Sequence, residues 1–533
     1  MHRRERRRYN GATSPRAPGS VMALIGIDLG TTYCAVAALD DRGRPVTVPN
    51  RDGDVLTPSA VYLGPDGTAV VGQPALDLAL DYPDRVAALV KRRIGYADLG
   101  HPVAGRTFRP ETLSAVILRK LADDAARQLG RITGCVITVP AYFDDTRRKA
   151  TMDAGRIAGL DVIDIVDEPS AAALAYSLQG VDGPTPGTVL VYDLGGGTFD
   201  VTVVSLGKKR FRVLAVEGDV RLGGKDWDDK LVDWAADRFQ RETGGADPRL
   251  DPLSLVALQA AAERAKRTLS KVEQTTLTVS HAGHRVPLPL SRTEFESVTK
   301  DLLVRTRLTT QQVLRQAGLT WDKIDRVLLV GGSTHMPAVG RMLAEVTGKD
   351  PDRTLAVSEV VARGAAAHAG IVWQREQGIR RGDTPVHELL ADVIEISVNA
   401  HSLGVEVKQP DGTRRNNILI AKNTQLPSAV TREYYTVGEN QARVRVRILQ
   451  GESPQAAACI PVGECWIDGL PADLPRGSPV EVRCGVAANG RIEVTARDRA
   501  SGRTATATIH RPGGLTEAQL AAEAEWVRGL KIQ

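Results

Sequence analysis

The sequence predicts an α/β region built from two lobes, then an antiparallel β-sandwich, then one short C-terminal helix. From Val21 to about Gly382, apolar strand-like runs alternate with amphipathic helical segments, which is typical of α/β proteins. From about Ala400, apolar and polar residues alternate with a period of two between turn signals such as Asn489-Gly490, which predicts antiparallel strands. A glycine-containing hairpin pattern occurs twice in the α/β region and predicts its two lobes.

The composition is that of an ordinary globular protein that is long enough for several domains. The chain has 533 residues, of which 42% are hydrophobic and 25% are charged, and it has no apolar run as long as a membrane span. Its net charge of +5 equals that of residues 1–18, which hold six arginines and one glutamate. The remainder is near neutral, so we expect neither a nucleic-acid partner nor a membrane partner. Residues 1–21 are either a disordered basic arm or an extension ahead of a true start at Met22.

The cysteines favour a reducing compartment. There are five of them, without the spacing of a metal site, at positions Cys34, Cys135, Cys459, Cys465 and Cys484. Their odd number argues against a disulfide framework, and we therefore expect a cytoplasmic protein.

The first hairpin occupies residues 24–40, with the sequence LIGIDLGTTYCAVAALD. An apolar strand ends at Asp28, Gly30 and the hydroxyl residues Thr31 and Thr32 form the turn, and a second apolar strand returns. Between this hairpin and the next, four segments alternate between helix and strand. They are a helix at 111–130, a strand at 135–140, a helix at 144–160 that ends at glycine and a strand at 161–169.

The second hairpin, VLVYDLGGGTFDVTVVSL at residues 189–206, repeats the design of the first. Asp193 leaves the first strand and Asp200 enters the second. Glycines let the backbone approach a ligand closely, and consecutive N–H groups bind an anion. Carboxylates beside an anion indicate Mg²⁺. A lone triple glycine would favour a plain turn, but two such hairpins favour a pair of phosphate-binding turns that face one cleft.

The remaining elements follow in order. A long helix at 251–270 and a buried strand at 324–330 that leads into a glycine turn complete the α/β region, and 382–399 is a candidate linker. Alternating segments predict the strands of the β-sandwich, at 442–452, 479–498 and 504–510. Residues 514–533 predict one helix.

With these motifs the chain resembles the heat-shock-seventy (DnaK-type) molecular chaperones from Leu24 to about Leu530. The resemblance is carried by GIDLGTTY, VKRRIG, VITVPAYFDDTRRKATMDAGRIAGL, DEPSAAALAY, YDLGGGTFDVT, LGGKDWD, ERAKRTLS, LLVGGSTHMP, LIAKNTQLP, LQGE and DRASGR. It implies an actin-like ATPase domain at 22–382, a linker at 383–399, a peptide-binding β-sandwich at 400–512 and a truncated lid helix at 513–533. The implied function is ATP-dependent binding of extended apolar segments of unfolded proteins, coupled to ATP hydrolysis.

The resemblance also implies a site for ATP or ADP with Mg²⁺, and K⁺ is a further candidate ion. The residues implied for the phosphates are Gly30, Thr31, Thr32, Tyr33, Gly195, Gly196, Gly197 and Thr198, and those for Mg²⁺ are Asp28 and Asp193. Lys91 would neutralise charge at the γ-phosphate, although alone it would be interpreted as a solvated surface lysine. Glu168 and Asp200, with Thr198, are the candidates for orienting the attacking water, and no single strong base is assigned.

The adenosine would bind a face of the helix in ERAKRTLS and the glycine turn of GGST. The helix residues are spaced three or four apart and therefore share a face: Glu263, Lys266, Arg267 and Ser270. By itself, such a face could also be an ordinary ion-paired surface. The turn contributes Gly331, Gly332, Ser333 and His335. The chain departs from the family at three positions here, because His335 replaces an arginine, Lys225 an acid and Ser358 an aspartate. We expect ATP binding to persist, in weakened form.

The peptide site and the coupling residues follow from the same resemblance. The cleft lining would be Val405, Val407, Tyr434, Val437, Val444 and Val446. Lys408 replaces a methionine-like arch residue. Arg443, Arg445 and Arg447 point to the other face, either as a solvated surface or as a preference for acidic clients. The coupling residues would be Pro140, Arg148, Asp392, Val393 and Ile394. Glu395 stands at an apolar linker position, where an unpaired buried carboxylate would weaken linker docking.

Three functional alternatives remain at this point. The first is a peptide-binding chaperone that works with a J-domain co-chaperone and a nucleotide-exchange factor. The second is an ATP-responsive scaffold of the same family, which the altered linker and the short lid would favour; a shortened lid also predicts faster peptide release. The third is a small-molecule kinase on the same fold, which leaves the β domain unexplained. ATP-dependent peptide release separates the first from the second.

Overall fold

A computed structural model of the chain describes residues 23–178, 186–207, 210–354, 356–376, 390, 393–441, 443–468, 475–488, 490–499, 502, 504–506 and 514–533. These residues form two α/β lobes, a β-sandwich and a C-terminal helix, so the predicted fold class is confirmed. The domain boundaries themselves stay predictions. Most of the predicted linker and Asp392 lie outside the described residues.

The first lobe is built on a mixed sheet whose strands are apolar on both faces. Its elements are β1 (Ala23–Asp28), β2 (Tyr33–Leu39), β3 (Pro45–Val48), β4 (Thr57–Pro58), β5 (Ala60–Leu63), β6 (Thr68–Val71), α1 (Gln73–Leu78), β7 (Val86–Ala88), α2 (Pro110–Leu129), β8 (Ile132–Val139), α3 (Asp145–Ile157), β9 (Val162–Asp167) and α4 (Glu168–Ser177). The main sheet has the order β3-β2-β1-β8-β9, with β4 paired to β2, and β5, β6 and β7 belong to a smaller sheet. The antiparallel pair β1–β2 beside the parallel β8 places the first hairpin at the sheet centre.

The second lobe repeats this plan. Its elements are β10 (Gly187–Leu194), β11 (Phe199–Gly207), β12 (Arg210–Asp219), α5 (Gly224–Thr243), α6 (Pro252–Leu269), β13 (Gln274–His281), β14 (His284–Ser291), α7 (Arg292–Val298), α8 (Lys300–Gln316), β15 (Arg326–Val330) and α9 (Pro337–Thr347). The next helix, α10 (Val360–Glu376), returns to the first lobe and packs on β1, β2 and β8. The hairpin β10–β11 lies beside the parallel β15, as β1–β2 lies beside β8. The predicted internal repeat is therefore confirmed.

Small residues join the two lobes at their base, where α4 and α10 pack together. A Cβ atom on Gly26 would lie 2.7 Å from the carbonyl oxygen of Ala362, and one on Gly364 would lie 2.7 Å from Cα of Ala171. No larger residue fits either place without a shift of the backbone. This close packing forms one aliphatic core between the lobe sheets and leaves both hairpin turns on a common cavity.

The end of the predicted linker is a strand that extends the sheet of the second lobe. β16 (Ile394–Ile396) pairs in parallel with β12, so the sheet order is β15-β10-β11-β12-β16. The β-sandwich then follows as β17 (Leu403–Lys408), β18 (Arg414–Ile420), β19 (Ser428–Tyr435), β20 (Arg443–Gln450), β21 (Ile460–Asp468), β22 (Pro479–Val486), β23 (Ile492–Asp498) and β24 (Thr504–Thr506). Its two four-stranded sheets have the orders β18-β17-β20-β21 and β19-β22-β23-β24.

The β-sandwich contacts both lobes of the α/β body. Lys422 Nζ lies 2.6 Å from Glu217 Oε1 in the second lobe. The side chain of Gln450 accepts a hydrogen bond of 3.1 Å from the backbone N–H of Asp145 in the first lobe. The linker strand and these contacts together hold the β-sandwich in a docked position.

The C-terminal segment returns to the first lobe. The predicted helix is α11 (Glu517–Gly529), which begins with a capping box of Thr516 and Gln519 and packs on α2 and α3. The ring of Trp526 lies 5.1 Å from that of Phe108. A final strand, β25 (Lys531–Ile532), pairs with β6, which the sequence did not predict. Across the described ranges, every helix is too short or too polar to cross a bilayer.

Candidate functional site

A cavity of about 690 Å³ lies between the lobes, which is the size of a nucleotide-type ligand pocket. It brings together most of the predicted nucleotide residues: Asp28, Gly30, Thr31, Thr32, Tyr33, Lys91, Glu168, Asp193, Gly195, Gly196, Thr198, Glu263, Lys266, Arg267, Ser270, Gly331, Gly332, Ser333 and His335. Gly197 and Asp200 are not in this lining, and both lie immediately behind it on the second hairpin.

The two hairpin turns face each other at contact distance. A Cβ atom on Gly197 would lie 2.5 Å from Cγ2 of Thr31, and one on Gly196 would overlap the side chain of Thr32. The turn of the second lobe can therefore approach that of the first only because both residues are glycines. This close approach explains two of the three glycines between the two strands, Gly196 and Gly197.

Aspartates occupy the strand ends on both sides of the cleft. Asp193 and Asp200 are cross-strand partners in the second hairpin. Asp200 Oδ1 accepts a hydrogen bond of 3.0 Å from the backbone N–H of Tyr142. In the first hairpin, Asp28 Oδ1 accepts a hydrogen bond of 3.1 Å from Thr138 Oγ1. These contacts fix the carboxylates in place.

Lys91 is buried in the cleft and is not a surface lysine. It lies in a single 3₁₀ turn, its residue is 5% exposed, and its ammonium forms an ion pair with Glu168. Burial opposes the charge of Lys91, but the carboxylates of Glu168 and Asp28 outweigh that effect and raise its pKa. The result is a permanent, fixed cation beside the aspartates.

The charge balance of the cleft suits a divalent cation. Burial, reinforced by the carboxylate of Glu168, raises the pKa of Asp28 to about 7 and also raises the pKa values of Asp193 and Asp200. Four carboxylates thus share one ammonium, and a cation placed among them would relieve their repulsion. In the part of the chain that the structure describes, no group of three or more His, Cys, Asp or Glu side chains could hold a metal ion. The strand-end carboxylates of Asp28 and Asp193 fit Mg²⁺, which is usually bound through one or two carboxylates and keeps several waters.

The predicted face of α6 lines the cavity opposite the hairpin turns. Lys266 Nζ donates to the carbonyl oxygen of Gly224 at 2.9 Å and to Asp228 at 2.8 Å, so the N-terminus of α5 positions it. Arg267 reaches across the cleft and donates to the hydroxyl of Tyr33 at 2.9 Å. This contact joins the two lobes over the mouth of the cavity.

Several residues of the cavity lining were not predicted from the sequence, among them the cations Lys271 and Arg353. Arg353 lines the cavity with His335, and a Cβ atom on Gly340 would lie 2.5 Å from its Nη2 atom, so the guanidinium occupies a niche that only glycine leaves free. Arg353 stands in a loop outside every motif, so no local signal could identify it. Lys225 forms an ion pair with Asp229 and does not line the cavity.

The predicted peptide-binding residues have different environments in this structure. Val405 and Val446 are buried in the core of the sandwich, and Tyr434 and Val444 pack at its margin. Val407 is partly exposed, and Val437 is 64% exposed. The role of this set stays a prediction.

The arginines that alternate with the β20 valines form an ion-paired surface. Arg445 Nε lies 2.6 Å from Glu464 Oε2, and Arg447 Nη1 lies 3.0 Å from Glu406 Oε2. Arg443 and Arg445 are exposed, and Arg447 is partly exposed. These contacts support the solvated-face interpretation over a preference for acidic clients.

Of the predicted coupling residues in the first lobe, Arg148 is connected to the docked linker segment through Asp167. Arg148 forms an ion pair with Asp167, whose other carboxylate oxygen lies 3.5 Å from the hydroxyl of Ser397. Pro140 is buried directly after β8 and accepts a hydrogen bond from the backbone N–H of Phe143 at 3.1 Å. A polar path thus runs from α3 to the residue that follows β16.

The linker residues require one correction. Val393 is buried and Ile394 is 41% exposed. We expected Glu395 to be an unpaired carboxylate that disfavours docking, and this expectation is wrong. Glu395 Oε2 lies 2.8 Å from Nδ1 of His368, so the docked strand brings its charge to a partner. The partner lies on α10 and could not be recognised from the linker sequence.

These features define a class of protein. Two glycine- and threonine-containing turns face one cavity in a two-lobed α/β body, and a docked strand joins this body to a β-sandwich. This architecture is that of a nucleotide-binding protein with a second, β-rich domain. The sequence model of the Hsp70 protein family matches residues 24–101 and 97–525. The chain is 40% identical over 527 residues to the chaperone protein DnaK of one strain of Thermus thermophilus, with 93% of this chain and 82% of that protein covered. The DnaK of a second strain of the same species gives the same values.

The chain therefore belongs to the Hsp70 family. As a member it is an ATP-dependent molecular chaperone and an ATPase, and it binds nucleotide.

Proposed function

We propose that the cleft hydrolyses ATP with Mg²⁺ and that the docked linker couples this reaction to peptide binding in the β-sandwich. The observation that carries the proposal is the single cavity in which both hairpin turns meet the buried Lys91–Glu168 pair. A structural ion pair alone would have no need of two facing turns that bring glycines and hydroxyl residues to the same cavity.

The turns position the phosphates of ATP. Their backbone N–H groups form anion-binding concavities, and Thr31, Thr32 and Thr198 add hydroxyl donors. Asp28 and Asp193 would hold Mg²⁺. When bound, the ion neutralises phosphate charge. K⁺ stays a further candidate ion.

Lys91 stabilises the negative charge that develops on the transferred phosphoryl group. Its ion pair with Glu168 fixes the ammonium before the reaction, so little reorganisation is required. Glu168 and Asp200 orient the attacking water. Because phosphoryl transfer depends mainly on positioning and electrostatics, the proposal assigns no strong general base.

The adenosine lies between α6 and the glycine turn after β15. Glu263, Lys266, Arg267 and Ser270 face it from α6, and the turn residues Gly331–His335 face it from the other side. Arg353 supplies a cation on the same side of the cavity as His335.

The β-sandwich binds extended apolar segments of unfolded clients by strand-like backbone hydrogen bonds and an apolar pocket. Nucleotide state reaches it through Pro140, Arg148 and the linker, from Asp392 to Ile394. A J-domain co-chaperone and a nucleotide-exchange factor are the further partners that we propose, and the cytoplasm is the proposed location.

Single-turnover ATP hydrolysis by Lys91→Ala tests the proposal. We expect a loss of about 10²-fold or more in rate, since a pre-organised charge is removed. Calorimetric measurement of ATP binding tests whether the variant still folds and binds nucleotide. The matched control is Lys323→Ala, which removes an exposed lysine. Hydrolysis at the wild-type rate by a folded Lys91→Ala protein would contradict the proposed mechanism.

A further inference from the structure

The docked linker places a carboxylate inside a buried cluster at the domain junction. Glu395 lies at the centre of β16, opposite Phe211 of β12, and its side chain is 11% exposed. Its Oε2 atom is 2.8 Å from Nδ1 of His368 on α10. The other ring nitrogen of His368, Nε2, is 3.0 Å from Oδ2 of Asp164 on β9. The imidazole thus bridges the linker and the first lobe.

Between two carboxylates, only the protonated imidazole satisfies both contacts. A neutral ring has one N–H donor, so one of the two carboxylates would face a nitrogen lone pair. The imidazolium donates to both and supplies the opposite charge. Burial of His368 disfavours its charge, but Glu395 and Asp164 outweigh burial and raise its pKa to about 10.

We propose that His368 and Glu395 are positioning residues for interdomain coupling, because the imidazolium on α10 captures the linker carboxylate and thereby selects the docked linker strand. The pair replaces apolar burial of the linker by a charge-assisted hydrogen bond. A buried pair of this kind is weak evidence for stability but specifies register well, because the carboxylate finds its partner in one position of the strand. The proposal deepens the coupled function described above and rests on it.

The other charged groups around the cluster are already engaged. Arg148 pairs with Asp167, and Arg375 donates to the carbonyl oxygen of Val393 at 3.0 Å. Asp145 also lines the cavity of about 330 Å³ that borders the cluster. Burial and the nearby charge of Glu395 raise the pKa of Asp167, although Arg148 opposes them. Among the described residues, His368 is therefore the cation placed to receive Glu395.

The geometry gives docking a definite pH dependence. In the undocked chain His368 retains Asp164 but loses Glu395, so its pKa is lower than in the docked state. Docking consequently takes up a proton at pH values between the undocked and docked pKa. The contribution of the pair to the free energy of docking is fully present below the pKa of His368 in the undocked state. It is lost as pH rises toward the docked pKa of about 10. The docking constant falls by at most about tenfold per pH unit in this window.

Domain docking can be measured by energy transfer between dyes on cysteines introduced at Arg285 and Asp411, two exposed positions in the α/β body and the β-sandwich. The native cysteines 34, 135, 459 and 484 are buried, and Cys465 is replaced by serine so that only the introduced pair carries the dyes. We expect His368→Gln to weaken docking at least about tenfold at pH 7, since Asp164 and Glu395 then repel each other without a cation.

The double variant His368→Gln/Glu395→Gln should recover most of the docking but show no pH dependence between pH 7 and 9. His284→Gln, at an exposed histidine, is the matched control and should retain the wild-type profile. Wild-type docking with an unchanged pH profile in His368→Gln would overturn the proposal. If ATP does not alter energy transfer in the wild type while His368→Gln still lowers the energy transfer, the proposed coupling is wrong and the role of the pair in docking is retained. If both proteins dock equally and ATP alters their energy transfer equally, the pair has no role in docking and the proposed coupling is retained.

Discussion

Removal of the Lys422 ammonium should release the β-sandwich from the second lobe. Lys422 and Glu217 form an ion pair of 2.6 Å across the domain interface, and their side chains are 11% and 7% exposed. Lys422→Met keeps the stem of the side chain but leaves the carboxylate buried without its cation. Loss of one partner of a buried pair typically costs about 3–5 kcal/mol.

The structure places the expected cost below that range. Gln312 and Gln316 each donate a hydrogen bond of 2.8 Å to the same oxygen of Glu217, and both remain in the variant. We therefore expect a cost of about 2 kcal/mol, or a docking constant roughly 30-fold smaller. Since separation of the domains returns Glu217 to water, the loss should appear in docking and not in the unfolding of either domain.

Energy transfer between the labels at Arg285 and Asp411 measures this docking directly. Glu217→Gln should remove most of the effect of Lys422→Met, because the neutral amide needs no counter-charge. Lys323→Met, which changes an exposed lysine, is the control. Docking of Lys422→Met within about twofold of the wild type at neutral pH would show that the ion pair does not hold the two domains together.

Three further variants test other parts of the account. Arg353→Ala should weaken ATP binding about three- to fivefold in calorimetry, as expected for loss of an exposed cation near the base, and unchanged affinity would exclude a role for this residue. Gly197→Val should abolish ATP binding in a folded protein, since its side chain would begin 2.5 Å from Cγ2 of Thr31; retained binding would show that the turns can separate. Trp526→Ala should cost on the order of 2 kcal/mol of α11 docking and speed amide exchange in 517–529, because it removes the ring contact of 5.1 Å with Phe108; equal exchange would show that the helix is held by other contacts.

The sequence predicted the elements whose signals are local. Both hairpins were identified from strand composition and glycine-hydroxyl turns within a few residues of each aspartate. Helices such as α2 and α6 were identified because their apolar periodicity is strong. Proline and a glycine mark the two ends of α2, and an aspartate cap followed by proline marks the start of α6. The strands of the sandwich followed from their alternation, as in β22 and β23.

Features that depend on distant parts of the chain were beyond such reasoning. His368 meets a partner 27 residues away in the linker and another 204 residues away in β9. The charge of Glu395 therefore looked unfavourable in the sequence, although the fold provides its counter-ion. The loop residue Arg353 and the strand β25 likewise acquire their contacts only from tertiary packing.

The burial of Lys91 is an intermediate case. Its sequence segment alone is as compatible with an exposed lysine as with a buried one, and only the resemblance to a family pointed to the cleft. The structure then places it at 5% exposure against Glu168, which comes from an element 77 residues later. Long-range ion pairs of this kind leave no periodic signal in the chain.

The most direct test of the account is the rate at which a fluorescent apolar peptide leaves the protein when ATP replaces ADP. A linker strand docked beside β12 and a β-sandwich held by both lobes predict that ATP accelerates release, and that Lys91→Ala still responds to ATP binding while it no longer hydrolyses it. Release at the same rate in ATP and ADP, from a protein that binds both nucleotides, would contradict the coupling of the two domains.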